Sequence, residues 1–434
     1  MADTYDVVII GGGFAGVTAA RELRKQGQRV LILEARDRLG GRTWTAEFAG
    51  QAVEMGGTWV HWLQPHVWAE ITRYGLQITE SPRAGEMRNW ISGGTRHEMP
   101  SERFYPMLNE ALKRFCHDAQ AVFERPHDPL FNADAVAAID GLSVRDRLAT
   151  LDLPRETLDL LDGQWASDCS APIAEAGLSV ALRWFSLAGW DGLRMLDAVA
   201  RYKIAAGTRS LIEAMVADGQ PDLLLSSPVS SVEQDAGGVA VTTRDGRGYS
   251  ARAAIVTAPL NTLGALEFKP ALSGHKQAAV AEGQASRGVK VWARIRGERP
   301  HFSGTAPDDH AITSLHSEYH LPGATLLVGF GPAADRLDVG DRGAVERAVR
   351  AFLPDAEVEE VAAHDWVADE FSRGTWPVYR PRQLTRYLRA LQQPEGRVLL
   401  AGSEMANGWC GFIDGAIESG LRVSRVVAHL LASS

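Results

Sequence analysis

The stretch VIIGGGFAG, Val8 to Gly16, sends an apolar run straight into glycines almost at the N-terminus. Around it the chain reads as strand (YDVVII), glycine turn (GGGFAG), helix (VTAARELRKQGQ) and strand (RVLILE), a β-α-β unit. In that context Gly11, Gly13 and Gly16 form G-x-G-x-x-G. Gly11 allows the tight turn, Gly13 lets backbone approach a pyrophosphate, and Gly16 permits close helix packing. Phe14 and Ala15 open the helix, whose free N–H groups face the anion. Glu34, followed by Ala35 and Arg36, ends the second strand, where a carboxylate accepts ribose hydroxyls. This unit binds a dinucleotide.

A chain of 434 residues is long enough for two or three domains. Its net charge of -9, with no cluster of Lys and Arg, argues against nucleic acid and is compatible with cationic ligands. Cys116, Cys169 and Cys410 have no paired spacing, so neither a disulfide framework nor a zinc site is expected, and a reducing compartment fits. Val7–Ile10 is too short for a signal peptide and nothing approaches a membrane span, so a cytoplasmic protein without membrane attachment is expected. Leu76 to Arg201 reads as mainly helical. Within it, Ser101 is positioned to cap a helix that carries Tyr105, Leu108, Leu112 and Phe115 on one face. VSSVEQDAGGVAVTTRDGRGYSARAAIVTAP reads as a β-meander returning to a buried strand at Ala254–Val256. VKVWARIRG and GRVLLAGSE read as further strands. GAIESGLRVSRVVAHLL reads as a closing helix, with Ile417, Leu421, Ala428 and Leu431 on one face.

The glycines alone do not separate NAD from FAD. EARDRLGGRTWT sets Gly40, Gly41 and Arg42 after the ribose carboxylate, which resembles glutathione-reductase-like FAD proteins, where a glycine pair and an Arg close over the pyrophosphate. VEMGGTWVHW follows, with Gly56, Gly57 and Thr58 where that family brings backbone close to the flavin. At the other end, LLAGSEMANGWCGFIDGAIESG resembles the closing segment of the flavin-containing monoamine oxidase family. The resemblance implies that Gly402, Glu404, Gly411 and Ile413 line the FAD, that Phe412 stands beside the isoalloxazine, and that Val229 pairs through its backbone with adenine. Within the family, VTAPLNTL, EGQASRGVKVW and HDWVADEFSRGTW look closest to bacterial hydroxynicotine oxidases.

The fold implied is α/β. A Rossmann-type FAD domain assembled from 1–75, 202–282 and 385–434 carries an α+β substrate domain, 76–201 and 283–384, with a mixed sheet and helices. The reaction implied is oxidation of a C–N bond of a small amine to an imine by hydride transfer to flavin N5, with O2 or another acceptor then taking the electrons. Lys290 occupies the position of the family's flavin-facing lysine, and a lysine inside an apolar strand is costly to bury without a purpose. The other reading is a sheet-edge lysine. Thr375 replaces the cysteine that links flavin in animal relatives, so FAD is expected to be non-covalent, with Cys410 buried and inert. Trp376 and Phe412 form the walls of an aromatic slot, to which Trp59 adds a third surface. Ala166 and His316 stand where nicotine-type relatives carry Asn and Tyr, which points to a related secondary or tertiary amine rather than 6-hydroxynicotine. His316 is either a substrate contact or a surface-loop histidine. An L-amino-acid oxidase would need an Arg for the carboxylate, with Arg194, Arg201 and Arg287 as candidates. A primary amine or polyamine oxidase, a desaturase or porphyrinogen oxidase, and a redox-silent FAD protein complete the alternatives. The resemblance also admits a homodimer.

Overall fold

Val7, Val8, Ile9 and Ile10 are at most 6% exposed, as a strand covered on both faces requires. In a computed structural model that describes residues 4–82 and 85–432, they belong to Thr4–Ile10, an inner strand of an eight-stranded sheet. It runs parallel to Val30–Leu33 on one side and to Gly248–Val256 on the other. The helix Phe14–Lys25 connects the first two strands. The expected meander is present as Val229–Gln234, Val239–Thr243 and Gly248–Val256, antiparallel in sequence order. Val398–Leu400 then adds parallel to Ala254–Val256. The closing helix Ile413–Ala432 lies against the first helix, so close at Gly420 that a Cβ there would stand 2.5 Å from the Ala15 carbonyl oxygen.

A second sheet has seven strands in the order Val358–Ala363, Val289–Arg296, Ala324–Gly331, Ser314–Leu321, Ser303–Thr305, Met87–Ser92 and Thr95–Pro100. Helices between Ser101 and Ala200 pack together around Phe115, Trp165, Leu182 and Trp184. This Rossmann-type layer joined to a mixed sheet and a helical layer is the fold class expected.

The helical region begins later than expected. Ile78–Glu80, Met87–Ser92 and Thr95–Pro100 are strands, and the last two form a hairpin in which Met87 faces Pro100. Gly93 and Gly94, with φ of +56° and +76°, make the turn, the two-residue conformation whose twist suits a hairpin. Ser101 is not a cap: it is the first residue of the helix Ser101–Phe115, and its Oγ donates to the Gly85 carbonyl. On that helix Leu108, Leu112 and Phe115 are buried as expected, while Tyr105 borders a cavity. The closing helix buries Ile417 and Leu431, with Leu421 and Ala428 packed beside them.

Candidate active site

One cavity of about 690 Å³ runs from the glycine turn to the face of the seven-stranded sheet. At its nucleotide end, Gly11 has φ +111°, and a Cβ there would stand 2.5 Å from Thr257 Oγ1. The helix that follows starts at Phe14 with no side-chain cap and no acidic residue in its first turn. Its free N–H groups are therefore available to an anion. Gly16 does not border the cavity; a Cβ there would fall 2.1 Å from the Gly11 carbonyl, so its role is packing. Glu34 lines the cavity at 4% exposure and accepts the N–H of Gly12 at 2.6 Å and of Arg36 at 2.8 Å. Burial pushes its carboxyl above the usual range even so. Ala35, Arg36, Gly41, Arg42, Val229, Gly402, Gly411 and Ile413 line the same space.

Glu404 does not line the cavity. It is 1% exposed and lies behind Arg42, whose Nη2 donates to Glu404 Oε1 at 2.9 Å while Nη1 donates to the Thr375 carbonyl at 3.0 Å. A carboxylate in that position sets the direction of the guanidinium. The uncapped helix end, the glycine approach and the Glu34 carboxylate together fit FAD, an anion-bearing dinucleotide with a ribose diol.

Lys290 lies in the strand Val289–Arg296, 4% exposed, and borders the cavity. Its Nζ donates to the Gly56 carbonyl at 2.9 Å and to Thr58 Oγ1 at 2.6 Å. Burial lowers its pKa to about 7, against the raising influence of Glu54 and Glu318. Gly56 admits no side chain, since a Cβ would fall 2.1 Å from the Arg42 carbonyl; Gly57 and Thr58 continue the wall. Trp59 and Phe330 lie 5.8 Å apart between ring centres, and Phe330 and Trp376 6.5 Å apart. Phe412 meets Trp184 edge-on at 5.5 Å. His316 is a wall residue, stacked on Phe330 at 6.2 Å, rather than a loop histidine. Burial, with help from Arg88, Lys290 and Lys203, lowers its pKa to about 3, so it is neutral.

Ala166 is not brought to the site: it is fully buried in the helical core. On the same helix, Arg155–Cys169, it is Gln164, Ser167 and Asp168 that face the cavity. Gln164 Nε2 donates to both Asp168 oxygens, at 3.0 and 2.9 Å, and the Trp376 indole donates to the Asp168 carbonyl at 2.9 Å. Sequence reasoning missed Gln164 and Asp168, although an i, i+4 polar pair within DGQWASDC was there to be read. It also missed Arg88, a single cation in RNWIS. Of the arginines considered for a substrate carboxylate, Arg201 lines the cavity but is paired with Glu80 and Asp197. Arg287 is paired with Glu175, and neither it nor Arg194 lines the cavity.

Burial raises the Asp168 carboxyl from 3.8 to about 7. The folded state therefore binds this proton more tightly than the unfolded chain, and its stability contribution is lost as pH rises from about 4 to 7. Asp168→Asn is expected to remove that slope, so that the variant gains on the wild type with rising pH and the gap levels off above about 7. Thermal unfolding across that range checks it; parallel curves would place the carboxyl in water.

Among the described residues no helix is long and apolar enough to cross a membrane, and no group of three or more His, Cys, Asp or Glu side chains is arranged for a metal. Residues 14–428 match the model of the flavin containing amine oxidoreductases. The chain is 43% identical over 433 residues to pseudooxynicotine dehydrogenase from a Pseudomonas species, covering 98% of this chain and 87% of that one. It is 30% identical to (S)-6-hydroxynicotine oxidase of Paenarthrobacter nicotinovorans, covering 98% and 100%. The solved structure of cyclohexylamine oxidase from Brevibacterium oxydans superposes with a TM-score of 0.83 at 25% identity, over 99% of each chain. A glycine-lined dinucleotide cradle opening onto a buried lysine and an aromatic slot is thus matched along nearly the whole sequence, and the chain belongs to the flavin containing amine oxidoreductase family, as an FAD-dependent enzyme that oxidises amines.

Proposed function

We propose that the substrate is a nicotine-related secondary or tertiary amine, oxidised at the carbon next to nitrogen, and that O2 takes up the electrons to give H2O2. The observation that carries this reading is the meeting of Lys290, Trp376, Phe330 and Trp59 around one end of the cavity. Relatives named for pseudooxynicotine and 6-hydroxynicotine support the substrate class. Bound FAD supplies the acceptor for the hydride. Trp376 and Phe412 hold the amine and keep water out; in so dry a slot the neutral amine, which alone can release a hydride, is favoured over its cation. Asp168, next to Trp376 and ionised in part near neutral pH, accepts the proton of the arriving ammonium. When protonated, Lys290 has one N–H beyond its two bonds, and since the residue borders the cavity that donor is free to hold a water there. Released iminium is hydrolysed by water.

FAD is held without a covalent bond in this reading. Thr375, buried and hydrogen-bonded to Ser170 at 2.9 Å, offers no thiol. Burial pushes the Cys410 thiol up to about 11, which leaves it inert. The segments 1–75, 202–282 and 385–434 hold FAD, and 76–201 with 283–384 meet the amine, to which Trp59 and Phe412 reach from the FAD segments.

The test is anaerobic mixing of the holoenzyme with nicotine, pseudooxynicotine, 6-hydroxynicotine, cyclohexylamine, putrescine and L-amino acids. Loss of oxidised flavin absorbance is followed throughout. Fast bleaching by the nicotine-related members, reversed on admitting air, is expected. Bleaching by L-amino acids or putrescine alone would overturn the substrate class, and a flavin that stays reduced in air would overturn O2 as acceptor.

A further inference from the structure

The seven-stranded sheet presents two cations to the same cavity at different distances from the aromatic slot. Lys290 lies on Val289–Arg296 and Arg88 on Met87–Ser92, with three strands between them. At roughly 4.8 Å per strand spacing, the two backbones stand about 19 Å apart. Arg88 borders the cavity with its guanidinium 5.3 Å from the ring centres of both Phe104 and Tyr105. Among the described residues no carboxylate lies within ion-pair distance of it, whereas the neighbouring cations Lys203 and Arg201 are paired with Glu318 and with Glu80 and Asp197. Burial lowers its pKa, against the raising influence of the Tyr105 phenol, both through its charge and through a hydrogen bond to the guanidinium. The nearby His316 is neutral and carries no charge to balance it.

Arg88 is partly buried, open only towards the cavity, and its one hydrogen-bonding side chain among these neighbours is the neutral Tyr105 phenol, so its charge is held at a cost that an oxygen acceptor would offset. Two aromatic rings lend only part of that. Its planar fork matches the two lone pairs of a carboxylate and also donates to a carbonyl. We propose that Arg88 anchors an oxygen acceptor, carbonyl or carboxylate, on the tail of the amine substrate, several bonds from the carbon that is oxidised. An α-amino acid does not qualify, because its carboxylate sits on the reacting carbon and cannot reach across the intervening strands. This inference rests on the amine-oxidising reading above and specifies the far end of the same site.

The experiment uses the FAD-loaded enzyme and N-methyl amines of matched chain length, whose tails carry a ketone, a carboxylate or only methylenes. With the wild type, kcat/KM for one of the oxygen-bearing amines is expected to exceed that of the methylene analogue by about tenfold or more, the size of a charge-assisted hydrogen bond. Which oxygen-bearing arm gains tells carbonyl from carboxylate. R88Q is expected to lose most of that advantage through KM, with the loss at least about tenfold heavier on the oxygen-bearing member than on its analogue. R88K keeps the charge without the fork and guards against a folding defect in R88Q; it retains part of the advantage. An advantage that persists in R88Q, or no advantage in the wild type, overturns the assignment. A calorimetric titration with the amine-free ketone and acid separates this from failure of the amine reading: binding to wild type and not to R88Q upholds Arg88 even if no amine is oxidised. Equal binding, or none to either, overturns it.

Discussion

Replacing Lys290 by Met is expected to leave FAD bound and to slow turnover, flavin reoxidation included, by about a hundredfold or more. That is the range seen when one preorganised donor is removed from a buried reaction site. Met fills much the same volume, so the strand Val289–Arg296 and its pairing with Ala324–Gly331 persist. The cation vanishes, together with its bonds to the Gly56 carbonyl and Thr58 Oγ1. With a pKa of about 7, Lys290 changes charge within the working range. The wild-type pH–rate profile should therefore change more steeply near pH 7 than that of the variant, in which only the Asp168 ionisation remains in that range. The sign for stability is also set: the unfolded chain holds this proton more tightly, so wild-type stability rises as pH increases from about 7 to 10.5. Stopped-flow reduction and reoxidation, with pH-dependent thermal unfolding, check both. Full activity in the variant would remove Lys290 from the reaction.

Glu34→Ala should weaken FAD binding by about ten- to a hundredfold, because hydrogen bonds to a charged group contribute roughly 1.5–3 kcal/mol. Two effects add. The ribose loses its acceptor, and the N–H groups of Gly12 and Arg36, held at 2.6 and 2.8 Å, lose theirs. The amine slot is untouched, so the ratio of kcat/KM between two amines in the remaining holoenzyme should stay as in the wild type. FAD titration of the apoprotein gives the first quantity and paired steady-state assays the second. Unchanged affinity would mean that the ribose is held elsewhere.

Much of this was legible because local chemistry demanded particular residues. A tight turn beside a phosphate requires Gly11, and a lysine among Val289, Val291 and Trp292 is too costly to be accidental. The hairpin before Ser101 was missed because RNWISGGTRHEMP lacks a clean alternation, although Gly93-Gly94 marked its turn. Arg88 escaped notice for a different reason. Its significance lies in having no carboxylate partner among the described residues and in its place on a strand that pairs with Ser303–Thr305, more than two hundred residues away. Ala166 misled because alignment to relatives finds a position on a helix without its phase; a rotation of one or two residues brings Ser167 and Asp168 to the cavity instead.

The sheet that holds the nucleotide is closed late. Thr4–Ile10 pairs with Gly248–Val256, which pairs in turn with Val398–Leu400, and the first helix is covered by Ile413–Ala432. A ribosome making this chain therefore releases the G-x-G-x-x-G turn hundreds of residues before the elements that bury it. A nascent chain halted before Val398 therefore leaves the apolar edge of Ala254–Val256 without its partner strand.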